Sequence, residues 1–161
     1  MKMKIFLLTL CCLFFSVAVE AKKKNEPLVY DIECAGTGGT GTYLVKVTVY
    51  TKKAKDATND LLRKAAVHGV IFKGFKGTGG CISQKALTSG PMVEQQHADF
   101  FLSFFNENGQ YMIYSDLIKG SIESMKINKS YATSAVVSIS KDLLRKDLEG
   151  AGIVRGLGDM F

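Results

Sequence analysis

One apolar run near the N-terminus decides how much of this chain is available to a folded domain. Residues 5–19 are mostly apolar and follow a start that carries two lysines, which is the pattern of a secretory signal. Val19 and Ala21 then place small side chains three and one positions before a cleavage site. The sequence therefore predicts a signal peptide over residues 1–21, cleaved before Lys22, and a mature protein that is extracytoplasmic, either periplasmic or secreted.

Two other interpretations of this apolar segment remain open. The run could remain as an uncleaved anchor, although a membrane-spanning helix needs about 20 apolar residues. Cys11 or Cys12 could instead carry a lipid, although residues 8–10 before Cys11 are Leu-Thr-Leu rather than small residues. Cleavage explains the pattern with fewer departures, and we then expect no transmembrane span in the mature chain.

Removal of the signal leaves 140 residues with 19 Lys+Arg against 14 Asp+Glu, a net charge of +5. That length predicts a single domain with a real hydrophobic core. A mildly basic surface suits an envelope protein or an anionic polymer as partner. The lysines are dispersed and form no arginine-aromatic block of the kind that marks nucleic-acid grooves, so we expect no nucleic-acid partner.

Two cysteines, Cys34 and Cys81, remain in the mature chain. In an oxidising compartment an even pair predicts a disulfide. The sequence Gly-Thr-Gly-Gly occurs at residues 36–39 and again at residues 77–80, so flexible backbone lies next to both cysteines. Such a bridge would stabilise the fold by about 4 kcal/mol. Two buried free thiols, or one reactive thiol, are the alternatives.

Apolar periodicity predicts an α+β fold in the order β-β-α-α-β-β-β-α. Alternating positions with many β-branched residues indicate strands, and apolar spacings of three and four indicate helices. We expect a mainly antiparallel sheet of about five strands with two or three helices packed on one face. The predicted strands are 28–34, 43–50, 110–115, 121–129 and 131–140, and the predicted helices are 55–72, 93–105 and 141–149.

The ends of these elements follow from local chemistry. Asp56 or Thr58 would cap the first helix and Ser140 the last, which would end at Gly150. Residues 22–27 read as a disordered basic leader, residues 28–150 as the domain and residues 151–161 as a flexible tail.

Three motifs could indicate phosphate binding, thiol catalysis or zinc binding, but each is weak evidence. Residues 36–41 fit the pattern G-x-G-x-x-G but lead into a predicted strand, whereas phosphate binding needs a helix N-terminus there. Cys81 with His97 and Asp99 could form a thiol-nucleophile site only if folding brings them together. Glu94, His97 and the distant His68 are too few and too scattered for zinc. We therefore expect no cofactor and no metal.

A phenylalanine cluster allows two interpretations. Its four rings would supply core area, yet they occupy more than one face of the predicted helix, so some could reach the surface and bind a partner. The four residues are Phe100, Phe101, Phe104 and Phe105.

In the absence of a catalytic constellation, the sequence predicts an exported, non-catalytic binding or assembly module of the bacterial cell envelope that recognises a protein or an anionic polymer. The alternative is a small thiol-dependent hydrolase that uses Cys81 and His97.

Overall fold

The structure is a computed structural model, which describes residues 27–77, 79–90 and 92–156. The predicted signal peptide, all but one residue of the predicted leader, and residues 157–161 of the predicted tail lie outside the described residues. Pro91, which precedes the second predicted helix, lies outside them as well.

Five antiparallel strands form one sheet, as the sequence predicts. The central pair, β2 and β5, is in register from Tyr43 opposite Ile139 to Thr51 opposite Tyr131. On the outer side of β2 lies β1, and on the outer side of β5 lie β3, along its C-terminal half, and β4, along its N-terminal half. The strands are β1 Tyr30–Gly36, β2 Tyr43–Thr51, β3 Ser115–Leu117, β4 Glu123–Ile127 and β5 Ser130–Ile139.

The core lies between one face of this sheet and the helices. Val45, Val47 and Val49 alternate along β2 and are fully buried, while the residues between them are half-buried or exposed. This period of two is the one that a sheet with a single covered face requires. The helices are α1 Asn59–Phe72, α2 Val93–Gln96, α3 Ala98–Phe104 and α4 Lys141–Gly150.

Helix α1 lies closest to the sheet. Thr58 caps it, because its side chain accepts a hydrogen bond from the Leu61 backbone N–H at 3.1 Å. A Cβ atom placed on Gly69 would lie 2.7 Å from Ile32 Cδ1. Glycine therefore allows α1 to approach β1 closely, at a cost in helix propensity of about 1 kcal/mol. This approach brings His68, the residue before Gly69, against β1.

The predicted helix over residues 93–105 is wrong in one respect, since it is two short helices. His97 has non-helical backbone angles (φ −116°, ψ 37°) and closes α2, because its N–H donates to Val93 O at 3.1 Å. Helix α3 then begins, and Phe101 N–H donates back to His97 O. The apolar spacing continues across the break, so periodicity alone does not reveal it.

The predicted strand over residues 110–115 is also wrong. Residues Gln110–Tyr114 form a 3₁₀-helical turn, and β3 begins only at Ser115. Tyr111 and Tyr114 are both buried. A spacing of three places both rings on one side of a turn with three residues per turn, whereas a strand would place them on opposite faces.

The glycine that terminates α4 is Gly152 rather than the predicted Gly150. Gly150 is helical, and it is Gly152 that has a left-handed backbone (φ 71°). Gly152 N–H donates to Glu149 O and Ile153 N–H to Leu148 O, each at 2.9 Å, which is a Schellman motif. Ile153 and Val154 join the core, so this part of the predicted tail packs on the domain.

Candidate functional site

Two grooves flank the helix pair α2–α3. The first has a volume of about 1430 Å³ and is lined by the first half of α1, by α2–α3 and by the loop that follows α3. The second has a volume of about 1120 Å³ and is lined by residues 85–90, by His97, by α4 and by the segment after it. Both are open to solvent at the surface, and they differ in charge.

His68 lies at the inner wall of the first groove. Its Nε2 is 3.3 Å from both carboxylate oxygens of Glu94, and its Nδ1 is 2.7 Å from the Tyr30 hydroxyl oxygen. A carboxylate only accepts hydrogen bonds, so the neutral ring carries its proton on Nε2 and the Tyr30 hydroxyl donates to Nδ1. The three side chains thereby connect β1, α1 and α2.

The pKa changes of His68 and Tyr30 indicate that these side chains have a structural role. Burial lowers the pKa of His68, and the Glu94 carboxylate opposes that change. Burial, with a smaller contribution from Glu94, raises the pKa of Tyr30. The Tyr30 side chain also contacts Lys73, whose ammonium lies 3.8 Å from the centre of the ring. Tyr30 is 3% exposed, so its hydroxyl does not reach a ligand in the groove.

The lowered pKa of His68 predicts a pH dependence of stability. A histidine whose pKa is lower in the folded state binds protons more readily when unfolded, so stability is lost as the pH falls below the unfolded value of 6.5. Chemical denaturation between pH 5 and pH 8 should therefore show a smaller free energy of unfolding at the acidic end. His68→Gln should flatten that slope and His97→Gln should retain it. If the wild type and His68→Gln show equal slopes, His68 is not the group that causes the pH dependence.

Carboxylates outnumber cationic side chains in the lining of the first groove. Four carboxylates line it, those of Asp56, Asp60, Glu94 and Glu107, against two cationic side chains, Arg63 and Lys64. Both cations donate to backbone carbonyls: Arg63 Nη2 to Met112 O at 2.6 Å and Lys64 Nζ to Phe105 O at 2.7 Å. The groove thus presents net negative charge, and we call it the acidic groove.

Apolar groups form the rest of the acidic groove. Leu61, Phe101 and Phe105 lie along it, and Leu102 projects from α3 with 66% of its surface exposed. An exposed leucine beside carboxylates gives the groove two kinds of contact. A bound segment could bury apolar side chains there while its cations face the carboxylates.

The predicted disulfide is confirmed. Cys34 and Cys81 are bonded, with their Cα atoms 6.1 Å apart. The bond joins β1 to the glycine-rich loop between Phe75 and Gln84. A hydrogen bond from Cys34 N–H to Lys76 O at 3.2 Å also holds this loop. While the bond is intact, Cys81 has no thiol.

The structure does not assemble the alternative thiol site. His97 lies at the break between α2 and α3 and faces the second groove, and Asp99 is exposed in the first turn of α3. Within the described ranges, no hydrogen bond joins Cys81 to either side chain. Nor do three or more His, Cys, Asp or Glu side chains gather there in a group that could hold a metal ion.

The four phenylalanines do not form an exposed aromatic patch. Phe101, Phe104 and Phe105 are buried, and Phe100 is half-buried against the same cluster. Phe104 stacks on Tyr114 with the ring centres 5.8 Å apart. Three of the four rings therefore belong to the core, and two of these, Phe101 and Phe105, also line the acidic groove.

The sequence did not reveal either groove or the link between His68 and Glu94. These two residues are 26 positions apart, and no local motif relates them. Only the close approach of α1 to β1, for which Gly69 is a faint signal, places His68 where it meets both partners.

Comparisons of the chain with protein-family models, with curated proteins and with solved structures find no match. None of the helices in the part of the chain that the structure describes is long and apolar enough to cross a membrane. The disulfide is compatible with an extracytoplasmic location. Function therefore has to be inferred from the grooves themselves.

Proposed function

We propose that the protein is an exported binding module of the bacterial cell envelope, and that its acidic groove binds a basic, partly apolar segment of another protein. One observation carries the proposal: the groove combines an exposed apolar side chain, Leu102, with a surplus of carboxylates. The chain as a whole is basic, so this negative charge is local to the groove.

The directions of the side chains support a protein ligand over an anionic one at this groove. Arg63 and Lys64 donate to backbone carbonyls, so neither is directed at a ligand. Asp60 and Glu94 accept hydrogen bonds from Tyr111 and His68, but a carboxylate has further lone pairs with which to accept from a ligand. Complementary charge then favours a segment that carries lysine or arginine. The apolar wall suits a segment whose leucine-like side chains lie between those cations, and the groove volume of about 1430 Å³ has room for several residues of a peptide.

Export is part of the same proposal, and the disulfide supports it. Bridged cysteines persist in oxidising compartments and are rare in the cytosol. The alternative, a thiol-dependent hydrolase, has no observation in its favour, because Cys81 is bonded to Cys34. His68 is likewise held between two partners rather than placed beside a nucleophile.

A pair of labelled peptides tests the proposal. A fluorescent peptide of alternating lysine and leucine should bind the protein more tightly than its glutamate-leucine counterpart, as measured by anisotropy at low salt. Asp56→Lys and Leu102→Ser should each weaken binding of the lysine peptide by about five-fold, since each removes one exposed contact.

Matched variants outside the groove provide the control. Asp116→Lys changes an exposed carboxylate on β3, and Leu143→Ser changes a leucine on α4 that is 47% exposed. Both should bind the lysine peptide like the wild type. If the two peptides bind equally, or if the control variants weaken binding as much as the groove variants, the acidic groove is not the binding site.

A further inference from the structure

The second groove carries the opposite charge. Three cationic side chains among its described lining residues, Lys85, Arg145 and Arg155, stand against one carboxylate, that of Glu149. We call it the basic groove. It lies across α2–α3 from the acidic groove, so ligands could occupy both without competing for the same side chains.

We propose that the basic groove binds a linear polyanion through its repeated phosphate or carboxylate groups. The geometry of its cations carries this inference. Arg145 is held in place, because its Nε donates to Glu149 Oε1 at 2.7 Å and both side chains are half-buried. The opposite charges of Arg145 and Glu149 cancel, and the two side chains form one wall of the groove.

Lys85 and Arg155 provide the unbalanced charge. Both are exposed, and neither takes part in an ion pair between described residues. They lie on separate segments, Lys85 before α2 and Arg155 after α4, and face the same groove. The groove, with a volume of about 1120 Å³, is far larger than a single phosphate or carboxylate ion, which is why we assign a polymer that presents anionic groups to both segments.

The segment that carries Arg155 is held before any ligand arrives. Gly152, Ile153 and Val154 donate their backbone N–H groups to carbonyls at the end of α4, and Ile153 and Val154 are 9% exposed. Arg155 therefore projects from a fixed turn. A preformed cation loses less conformational entropy on binding than one on a mobile tail.

Three further residues that line the basic groove, Ser89, Gly90 and His97, suit an anionic ligand. Ser89 is exposed, and its hydroxyl can donate to an anionic oxygen. A Cβ atom placed on Gly90 would meet nothing within 4 Å, so a ligand can approach the main chain there. His97 adds ring nitrogens on the α2–α3 side of the groove.

Binding of two probes, sodium polyphosphate and poly-glutamate, tests the inference. We expect the full chain to bind at least one of them at low salt in isothermal titration calorimetry, with affinity that falls as salt is added. The double variant Lys85→Gln/Arg155→Gln should lose about five-fold in affinity, because two exposed charge contacts are removed. Binding of polyphosphate alone would identify phosphate as the recognised group, and binding of both would identify anionic oxygen in general.

A variant with the same change in net charge separates a site from diffuse attraction. Lys119→Gln/Lys126→Gln removes two exposed lysines near and within β4, and it should keep nearly the wild-type affinity. Equal losses in the two double variants, or binding of neither probe by the wild type, would overturn the proposal. The lysine-leucine peptide should bind the Lys85→Gln/Arg155→Gln variant normally, so failure here is distinguishable from failure of the acidic groove.

Discussion

Replacing Cys34 and Cys81 together with serine is expected to lower the free energy of unfolding by about 4 kcal/mol. The two residues are 47 positions apart, so the bridge restricts a long loop in the unfolded chain that contains all of β2 and α1. For a single domain with marginal stability, that is a large share of the total. Urea denaturation of the two proteins at neutral pH measures the difference.

Reduction provides the control for this prediction. Dithiothreitol should destabilise the wild type by a similar amount and leave the double variant unchanged. The glycine-rich loop keeps its other contacts, since Phe75 and Gln84 exchange backbone hydrogen bonds at 2.9 Å. We therefore expect the variant to fold and to bind the lysine peptide in the acidic groove. A wild type that is indifferent to reductant would show that the bridge contributes nothing to stability.

Features that depend on short-range pattern could be predicted from the sequence. The strand predicted at residues 43–50 alternates β-branched residues, and β2 forms there with Val45, Val47 and Val49 buried. Strands were predicted at residues 121–129 and 131–140, and β4 and β5 pair there as a hairpin, with a left-handed backbone at Asn128 in its turn (φ 54°). Parity of the mature cysteines predicted the disulfide.

Features set by tertiary packing could not be predicted in this way. Residues 110–115 were predicted as a strand, and the aromatic residues there do favour strands, but in the structure Tyr111 is fully buried in a 3₁₀-helical turn that packs on the helices. His97 breaks a helix without any glycine or proline beside it in the described sequence. Lys85 and Arg155 are 70 positions apart, so nothing local indicates that they face one groove.

The arrangement of the two grooves gives α2–α3 a specific role. Phe101 and Phe104 anchor the pair in the core, while its two sides form a wall of each groove. The phenylalanines that suggested a partner surface thus act mainly through packing, because they hold the helices whose side chains line the grooves, and Phe101 and Phe105 also line the acidic groove themselves. A small domain can in this way present a negative and a positive surface from one short segment.

The other large effect concerns the support of the acidic groove. Arg63→Ala is expected to lower the free energy of unfolding by about 3 kcal/mol, because it leaves buried acceptors without a charged donor. Arg63 donates from Nη2 to Met112 O and Ser115 O and from Nε to Ser115 Oγ. The guanidinium therefore holds α1 to the 3₁₀-helical turn and to β3. Thermal and urea unfolding measure the loss.

Lys64→Ala is the matched comparison on the same helix. Lys64 makes a single hydrogen bond, to Phe105 O, so its loss should cost about 1 kcal/mol. Arg63→Lys should recover less than half of the stability lost in Arg63→Ala, because an ammonium cannot reproduce the planar fork that reaches three acceptors. Equal destabilisation by Arg63→Ala and Lys64→Ala would mean that the fork adds nothing. The link between α1 and the 3₁₀-helical turn would then depend on other contacts, among them the hydrogen bond that the Tyr111 hydroxyl donates to Asp60.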